Sequence, residues 1–130
     1  MSHIPSPVIR DAAAVTPQPV ERTRGTAIQI LIGPADGAPN FMTRRFTIDP
    51  GGRIPRHPHD TIEHEQVMLA GTMTNRLDPR EVDETAGVRL LIPAGVALWY
   101  DIRSDEPVAV LGMVPFTSVY QTEWLEPPEM

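Results

Sequence analysis

Proline and glycine interrupt this chain so often that long helices are excluded. The 130 residues include 15 prolines and 9 glycines, and most of these fall between short apolar runs rather than inside them. Proline breaks helices and central strands, and glycine favours turns. The runs left between them are long enough only for strands, so the sequence predicts an all-β fold.

The predicted strands follow one another at near-regular spacing. They span residues 27–32, 41–48, 65–70, 72–77, 88–92, 96–100 and 108–114, and residues 116–124 could add a last strand. Turns are predicted at residues 49–52, 78–87, 93–95 and 103–107. Many short strands separated by such turns are typical of a sandwich or a barrel.

The length fits a single domain with a proline-rich lead-in. Residues 1–24 are predicted to form an N-terminal arm, and residues 25–130 the barrel domain. Two interpretations of the arm stay open, a mobile terminus and an arm that crosses to a partner subunit.

Composition excludes several function classes. The chain has no cysteine, so thiolate nucleophiles, cysteine-based zinc sites and iron–sulfur clusters are excluded. All 11 basic residues are arginine, which we attribute to GC-rich coding, and the absence of lysine excludes Schiff-base catalysis.

The net charge of −6 argues against a nucleic-acid partner. No apolar run approaches about 18 residues and no signal peptide is evident, so we expect a cytoplasmic protein without a membrane partner.

Three of the four histidines fall close together, at His57, His59 and His64. Residues two apart on a strand point to the same face, so His57 and His59 can aim at one point, and His64 begins the next run. Imidazole binds zinc, iron, nickel, copper and manganese. The alternative is a polar loop with three surface histidines. The third histidine and the surrounding glycines favour a metal site.

The spacing of these residues resembles the first signature of the cupin superfamily. That signature is a glycine, five residues, H-x-H, three or four residues, a glutamate, six residues and a glycine. Five residues separate Gly51 from His57, and six residues separate His64 from Gly71. His64 occupies the glutamate position, as in small single-domain cupins that bind manganese or another divalent metal with four histidines.

The second cupin signature is present except for its histidine. Gly87, Pro93 and Gly95 have the expected spacing, but Leu98 stands where the histidine belongs. Three interpretations follow: the three histidines hold the metal alone, an oxygen of Glu63 or Tyr100 completes the site, or metal affinity has decayed and the barrel binds an apolar molecule.

Other side chains near the signatures are candidates for the site. Gln66 follows His64 at period two and could hydrogen-bond a substrate, a metal-bound water or a backbone group. Gln66, Tyr100 and Glu63 are the catalytic candidates, and the cavity wall is predicted to include Leu98, Met68 and Trp99. Arg44 and Arg45 lie on opposite faces of their strand, so one could meet an anionic substrate, although a solvated arginine is the default expectation.

The resemblance implies an antiparallel β-barrel of the jelly-roll type, also called a double-stranded β-helix. It also implies a divalent transition metal, with iron or manganese favoured and zinc or nickel as alternatives, a small-molecule substrate and a homodimer. The first functional hypothesis is a dioxygenase-like enzyme. A redox-neutral cyclase, isomerase or lyase is the alternative, and a non-catalytic binder with an eroded metal site is a third.

Overall fold

The computed structural model describes residues 4, 6–58, 62–77, 80–102 and 104–115, with only the backbone described at residues 56–58. Within these residues there is no α-helix, and two short 3-10 turns accompany nine strands. The strands are β1 Gln18–Pro19, β2 Arg24–Ile32, β3 Phe41–Pro58, β4 His64–Ala70, β5 Met73–Leu77, β6 Arg80–Glu84, β7 Arg89–Ile92, β8 Ala97–Ile102 and β9 Val108–Pro115. The all-β prediction is confirmed.

Every pairing between the described strands is antiparallel, and the sheet curls so that β3 belongs to both of its halves. The strand order is β6-β5-β8-β3-β9-β4-β7, with β2 also paired to β3 and β1 paired to β2. One half therefore contains β2, β9, β4 and β7, and the other contains β8, β5 and β6. The interior lies between the two halves.

The long strand β3 corrects one prediction, because residues 49–52 do not end it. Its first part pairs with β9 as far as Ile48, and from Arg53 onward it pairs with β8. Gly51 has a φ of 76°, which favours glycine, and a Cβ on Gly52 would lie 2.6 Å from Cγ2 of Ile48 and 2.8 Å from two backbone oxygens. The predicted turn is therefore a tight corner inside a strand.

Strand β6 lies within residues 78–87, which the sequence predicts to be a turn. It pairs with β5 alone among the described strands, so it forms an edge of the sheet. Its sequence is almost entirely polar, and charged residues are common on edge strands. An edge strand without apolar alternation carries no period-two signal, which explains why the prediction was wrong here.

The N-terminal arm packs on its own chain within the described residues. β1 pairs with β2, and Gln29 Nε2 donates to the carbonyl oxygens of Ala12 and Val15 at 2.8 and 2.9 Å. Arg10 Nη1 lies 2.8 Å from Oδ1 of Asp36. The boundary at residue 24 and the homodimer stay predictions, as does a last strand at residues 116–124, which lie outside the described residues.

The interior is lined by every second residue of the central strands. Alternating positions on β4, β8 and β9 are buried, and the apolar core includes Ile48, Ile54, Met68, Met73, Ile92, Leu98, Tyr100, Ile102, Val108 and Val110. In the part of the chain that is described, no helix has the length and apolarity needed to span a membrane.

Candidate functional site

His64 is the first residue of β4 and lies in the interior. It pairs with Ile92 of β7, and only 5% of its surface is exposed. The flanking residues Glu63 and Glu65 are exposed, whereas Gln66, two residues on, is buried. Strand alternation therefore directs the imidazole inward and the two carboxylates outward, so Glu63 lies at the outer rim beside His64.

The other two predicted metal ligands are described only in part. His57 lies in β3 directly opposite Leu98 of β8, and Leu98 is 1% exposed. The side chain of His57 and the whole of His59 lie outside the described residues. Among side chains that the structure does describe, no three from histidine, aspartate or glutamate lie together as a metal site. The convergence of His57, His59 and His64 stays a prediction.

A hydrogen bond between Tyr100 and Gln66 crosses the interior. The Tyr100 hydroxyl donates to Gln66 Oε1 at 2.6 Å, and the two residues are 7% and 4% exposed. They lie on β8 and β4, which are not neighbours in the sheet. Because Oε1 accepts this bond, the amide nitrogen Nε2 points elsewhere, and it has no hydrogen-bond partner among the described residues.

Arg44 is also an interior residue, contrary to the default expectation of a solvated arginine. It is 7% exposed, and it pairs with Gly112, which in turn pairs with Gln66. A Cβ built on Gly112 would lie 3.9 Å from Arg44 Nη2, so the guanidinium lies over Gly112. The guanidinium carbon is 5.2 Å from the ring centre of Phe46. The alternation of Arg44 with Phe46 and the buried Ile48 was the signal that could have revealed this.

Two further polar residues are fully buried on β5 and β6. Asn75 and Glu84 are each 0% exposed. Neither the Asn75 amide nor the Glu84 carboxyl group makes a hydrogen bond of good geometry to another described group. Burial raises the pKa of Glu84 above its ordinary value, and the proximity of the Asn75 amide lowers it in part. With no well-formed hydrogen bond, desolvation dominates and favours the protonated acid. The sequence prediction missed Glu84 because it assigned residues 78–87 to a turn.

The three residues predicted to line the cavity lie in different places. Leu98 faces the interior beside His57 in register, and Met68 is 1% exposed and pairs with Val110 in the apolar core. Trp99 corrects the prediction. It alternates with Leu98 and Tyr100 and therefore faces outward, where its ring centre lies 6.0 Å from the guanidinium carbon of Arg53.

A cleft of about 350 Å³ opens beside His64. Phe41, Leu91 and Met113 contribute apolar walls, and Glu63 and Glu65 contribute its acidic part. Phe41 and Leu91 are 64% and 60% exposed, so the cleft is a surface feature on the outer side of the sheet, whereas the His64 imidazole faces inward. A small molecule in this cleft would meet an apolar surface with an acidic edge.

Of the three predicted imidazole ligands, the structure describes only that of His64, and imidazole is a ligand for divalent transition metals. His64 presents a buried imidazole to the interior, and the register brings the His57 backbone opposite Leu98. Leu98 has no donor atom, so it cannot supply the ligand expected at its position. Three imidazoles without a fourth would leave coordination positions for substrate, as catalytic metal sites require.

Comparison with known proteins identifies the family. The profile of the Cupin domain family matches residues 44–114. The polyketide cyclase RemF from Streptomyces resistomycificus is 25% identical, covers 97% of this chain and 89% of its own, and superposes with a TM-score of 0.82. No curated protein matches the sequence significantly.

Two further solved structures share the fold at lower identity. A predicted oxalate decarboxylase from Thermotoga maritima is 15% identical, covers 85% of this chain and 100% of its own, and has a TM-score of 0.76. A sugar phosphate isomerase of the cupin superfamily from Silicibacter pomeroyi is 21% identical, covers 78% of this chain and 66% of its own, and has a TM-score of 0.69. The predicted cupin-type fold is confirmed by these similarities.

Proposed function

Because this chain belongs to the cupin domain family, we propose that it is a metal-dependent enzyme for redox-neutral carbonyl chemistry on a small molecule. The favoured reaction is a cyclisation, in which a carbon next to one carbonyl attacks another carbonyl of the same molecule and water is lost. Carbon–carbon bond formation of this kind transfers protons but no net electrons. Iron or manganese is the expected metal, with zinc or nickel as alternatives.

The observation that carries the proposal is the hydrogen bond from Tyr100 to Gln66. Buried polar groups cost free energy unless they are hydrogen-bonded, so an apolar barrel interior retains a polar pair only where the pair has a role. The bond fixes the Gln66 amide two residues beyond His64 on the same strand face. A fixed amide donor next to a buried imidazole is the arrangement that orients a substrate oxygen.

The metal ligands in this proposal are His57, His59 and His64. A divalent ion held there would polarise a substrate carbonyl and make the neighbouring carbon more acidic. Leu98 and Met68 keep the surroundings apolar, which excludes water and strengthens each hydrogen bond to the substrate. Gln66 Nε2 donates to a substrate oxygen, while Tyr100 holds the amide in that orientation.

Likeness to RemF supports the redox-neutral reaction over the dioxygenase-like reaction that the sequence alone favours. RemF is a polyketide cyclase, and the similarity extends over nearly the whole chain. The two reactions differ in their use of oxygen, because a dioxygenase incorporates oxygen atoms into its product. A cyclisation with dehydration gives a product that has lost water and gained no oxygen.

Metal content and product mass together test the proposal. We expect close to one equivalent of a divalent transition metal per chain after expression in supplemented medium, and loss of that metal in His64→Ala. His3→Ala is the matched control and should keep the metal. Less than about one tenth of an equivalent would argue against any metal-dependent reaction.

The metal-loaded protein is then incubated with a linear poly-β-ketone thioester. Oxygen consumption with incorporation of oxygen into the product would refute the redox-neutral assignment.

A further inference from the structure

Two buried donor groups lie on either side of a glycine in the interior. Arg44, Gly112 and Gln66 occupy matching register positions on the neighbouring strands β3, β9 and β4. Adjacent strands are about 4.8 Å apart, so the two long side chains rise from positions about 10 Å apart with no side chain between them. The space between them is bounded by N–H groups.

The Gln66 amide has a defined orientation. Its oxygen accepts the hydrogen bond from Tyr100, so its nitrogen must present N–H groups to a different part of the interior. Gln66 is 4% exposed, and Nε2 has no partner among the residues that the structure describes. A buried amide donor left without an acceptor costs free energy, and a ligand oxygen would recover it.

Gly112 keeps the space between the two donors open. A Cβ at this position would meet nothing closer than 3.8 Å, the distance to Cε2 of Phe46. Arg44 Nη2 lies at 3.9 Å from the same point, so the guanidinium borders the space directly. Arginine presents several N–H donors in one plane and pairs well with carboxylate and other anionic oxygens.

We propose that the space over Gly112 is a subsite for an anionic oxygen of the substrate, held by Arg44 and the Gln66 amide. Carboxylate, phenolate and enolate oxygens share the required chemistry. The Phe46 ring beneath the guanidinium favours an aromatic or conjugated body attached to that oxygen. The inference rests on the proposed function only because the bound group belongs to the substrate of that reaction.

Binding to the metal-free protein tests the subsite without any catalysis. Isothermal titration calorimetry compares salicylate, which carries a carboxylate at neutral pH, with salicylamide, its uncharged analogue of nearly the same shape. We expect salicylate to bind about tenfold to a hundredfold more tightly, because the hydrogen bonds to an ionised group are the stronger ones. Equal affinities, or no saturable binding of salicylate, would overturn the proposal. This comparison uses the wild-type chain and depends on no variant.

Two pairs of variants then locate the site. Arg44→Met should abolish the preference for salicylate, whereas Arg45→Met, on the opposite face of the same strand, should retain it. Gly112→Leu should fill the space and weaken salicylate binding at least about tenfold, while Gly112→Ala, which fits at ordinary contact distance, should change it less than about threefold. Retention of the preference in a folded Arg44→Met or Gly112→Leu variant would place the anion elsewhere and refute the assignment.

Failure of this inference can be told apart from failure of the proposed function. The binding comparison is made without metal, and the metal analysis is made without ligand. A protein that holds metal and cyclises a polyketone but does not distinguish salicylate from salicylamide would refute the subsite alone. A protein without metal that still prefers salicylate would refute the enzyme alone.

Discussion

The hydroxyl of Tyr100 donates to Oε1 of Gln66 at 2.6 Å, joining two strands that are not neighbours in the sheet. Both side chains are almost completely buried, so the bond is shielded from bulk water. The bond therefore links the two halves of the curled sheet through its interior. Its loss should affect both the stability of the barrel and the orientation of the Gln66 amide.

Tyr100→Phe should destabilise the protein by about 1–3 kcal/mol, because it leaves a buried acceptor on Gln66 unsatisfied. Chemical denaturation measures this change in the free energy of unfolding. The double variant with Gln66→Leu should lose less than the sum of the two single variants. Additive losses would mean that the two side chains do not interact in solution.

Glu84→Gln should stabilise the protein increasingly as the pH rises. Burial raises the pKa of Glu84 above its ordinary value of 4.5 in the folded state, so the folded protein binds this proton more tightly than the unfolded chain does. Wild-type stability is therefore unaffected by this group below pH 4.5 and falls as the pH rises through the folded pKa. Glutamine carries no charge and avoids that loss.

The measurement compares the free energies of unfolding of the variant and the wild type at about pH 4.5 and about pH 8. Glu81→Gln, an exposed position on the same strand, controls for the removal of one surface charge. A difference between Glu84→Gln and wild type that stays constant over this range would contradict a raised pKa for the buried Glu84.

Gly52→Ala should be among the most destabilising single methyl additions in this chain. The new Cβ would lie 2.8 Å from the carbonyl oxygens of Arg24 and Asp49, and backbone atoms cannot move aside cheaply. We expect a loss of about 1–3 kcal/mol or more. Gly112→Ala is the control, since its Cβ meets only ordinary contacts, and should cost less than about 1 kcal/mol. Thermal and chemical denaturation should rank the two variants in this order.

Leu98→His should tighten metal binding. Leu98 lies opposite His57 in register and faces the interior, so an imidazole there would restore a fourth nitrogen donor. Competition with a chelator measures the metal affinity of the variant and the wild type. Ile30→His, at a half-exposed position on β2, is the matched control and should leave the affinity unchanged. An unchanged affinity in Leu98→His would show that position 98 does not face the metal.

The sequence predicted most of the fold because its central strands combine apolar alternation with turns marked by glycine and proline. β4, β7, β8 and β9 were predicted within one or two residues of their observed limits. β6 was missed because an edge strand with one partner needs no apolar face. The corner in β3 was read as a turn because glycine and proline mark both a chain reversal and a bend within a strand.

The candidate site was predictable to the extent that motif spacing determines it. His64 and Gln66 were placed on one face by parity, and both are buried. The burial of Arg44 was not predicted because a charged residue is usually solvated. Only the pairing with Gly112 shows where the Arg44 guanidinium has room in the interior. Trp99 was misplaced because its size suggested a wall residue although its parity directs it outward.

The corner at residues 49–52 also determines where the chain can change in length. Although it contains proline and two glycines and resembles a permissive loop, the strand continues through it and delivers His57 opposite Leu98. Inserting or deleting one residue there would shift the second part of β3 by one position, and such a slip turns every following side chain to the other face of the sheet. Evolutionary insertions in this protein should therefore avoid these four residues and accumulate around residue 95, where a Cβ on a glycine at a φ of 82° would meet nothing within 4 Å.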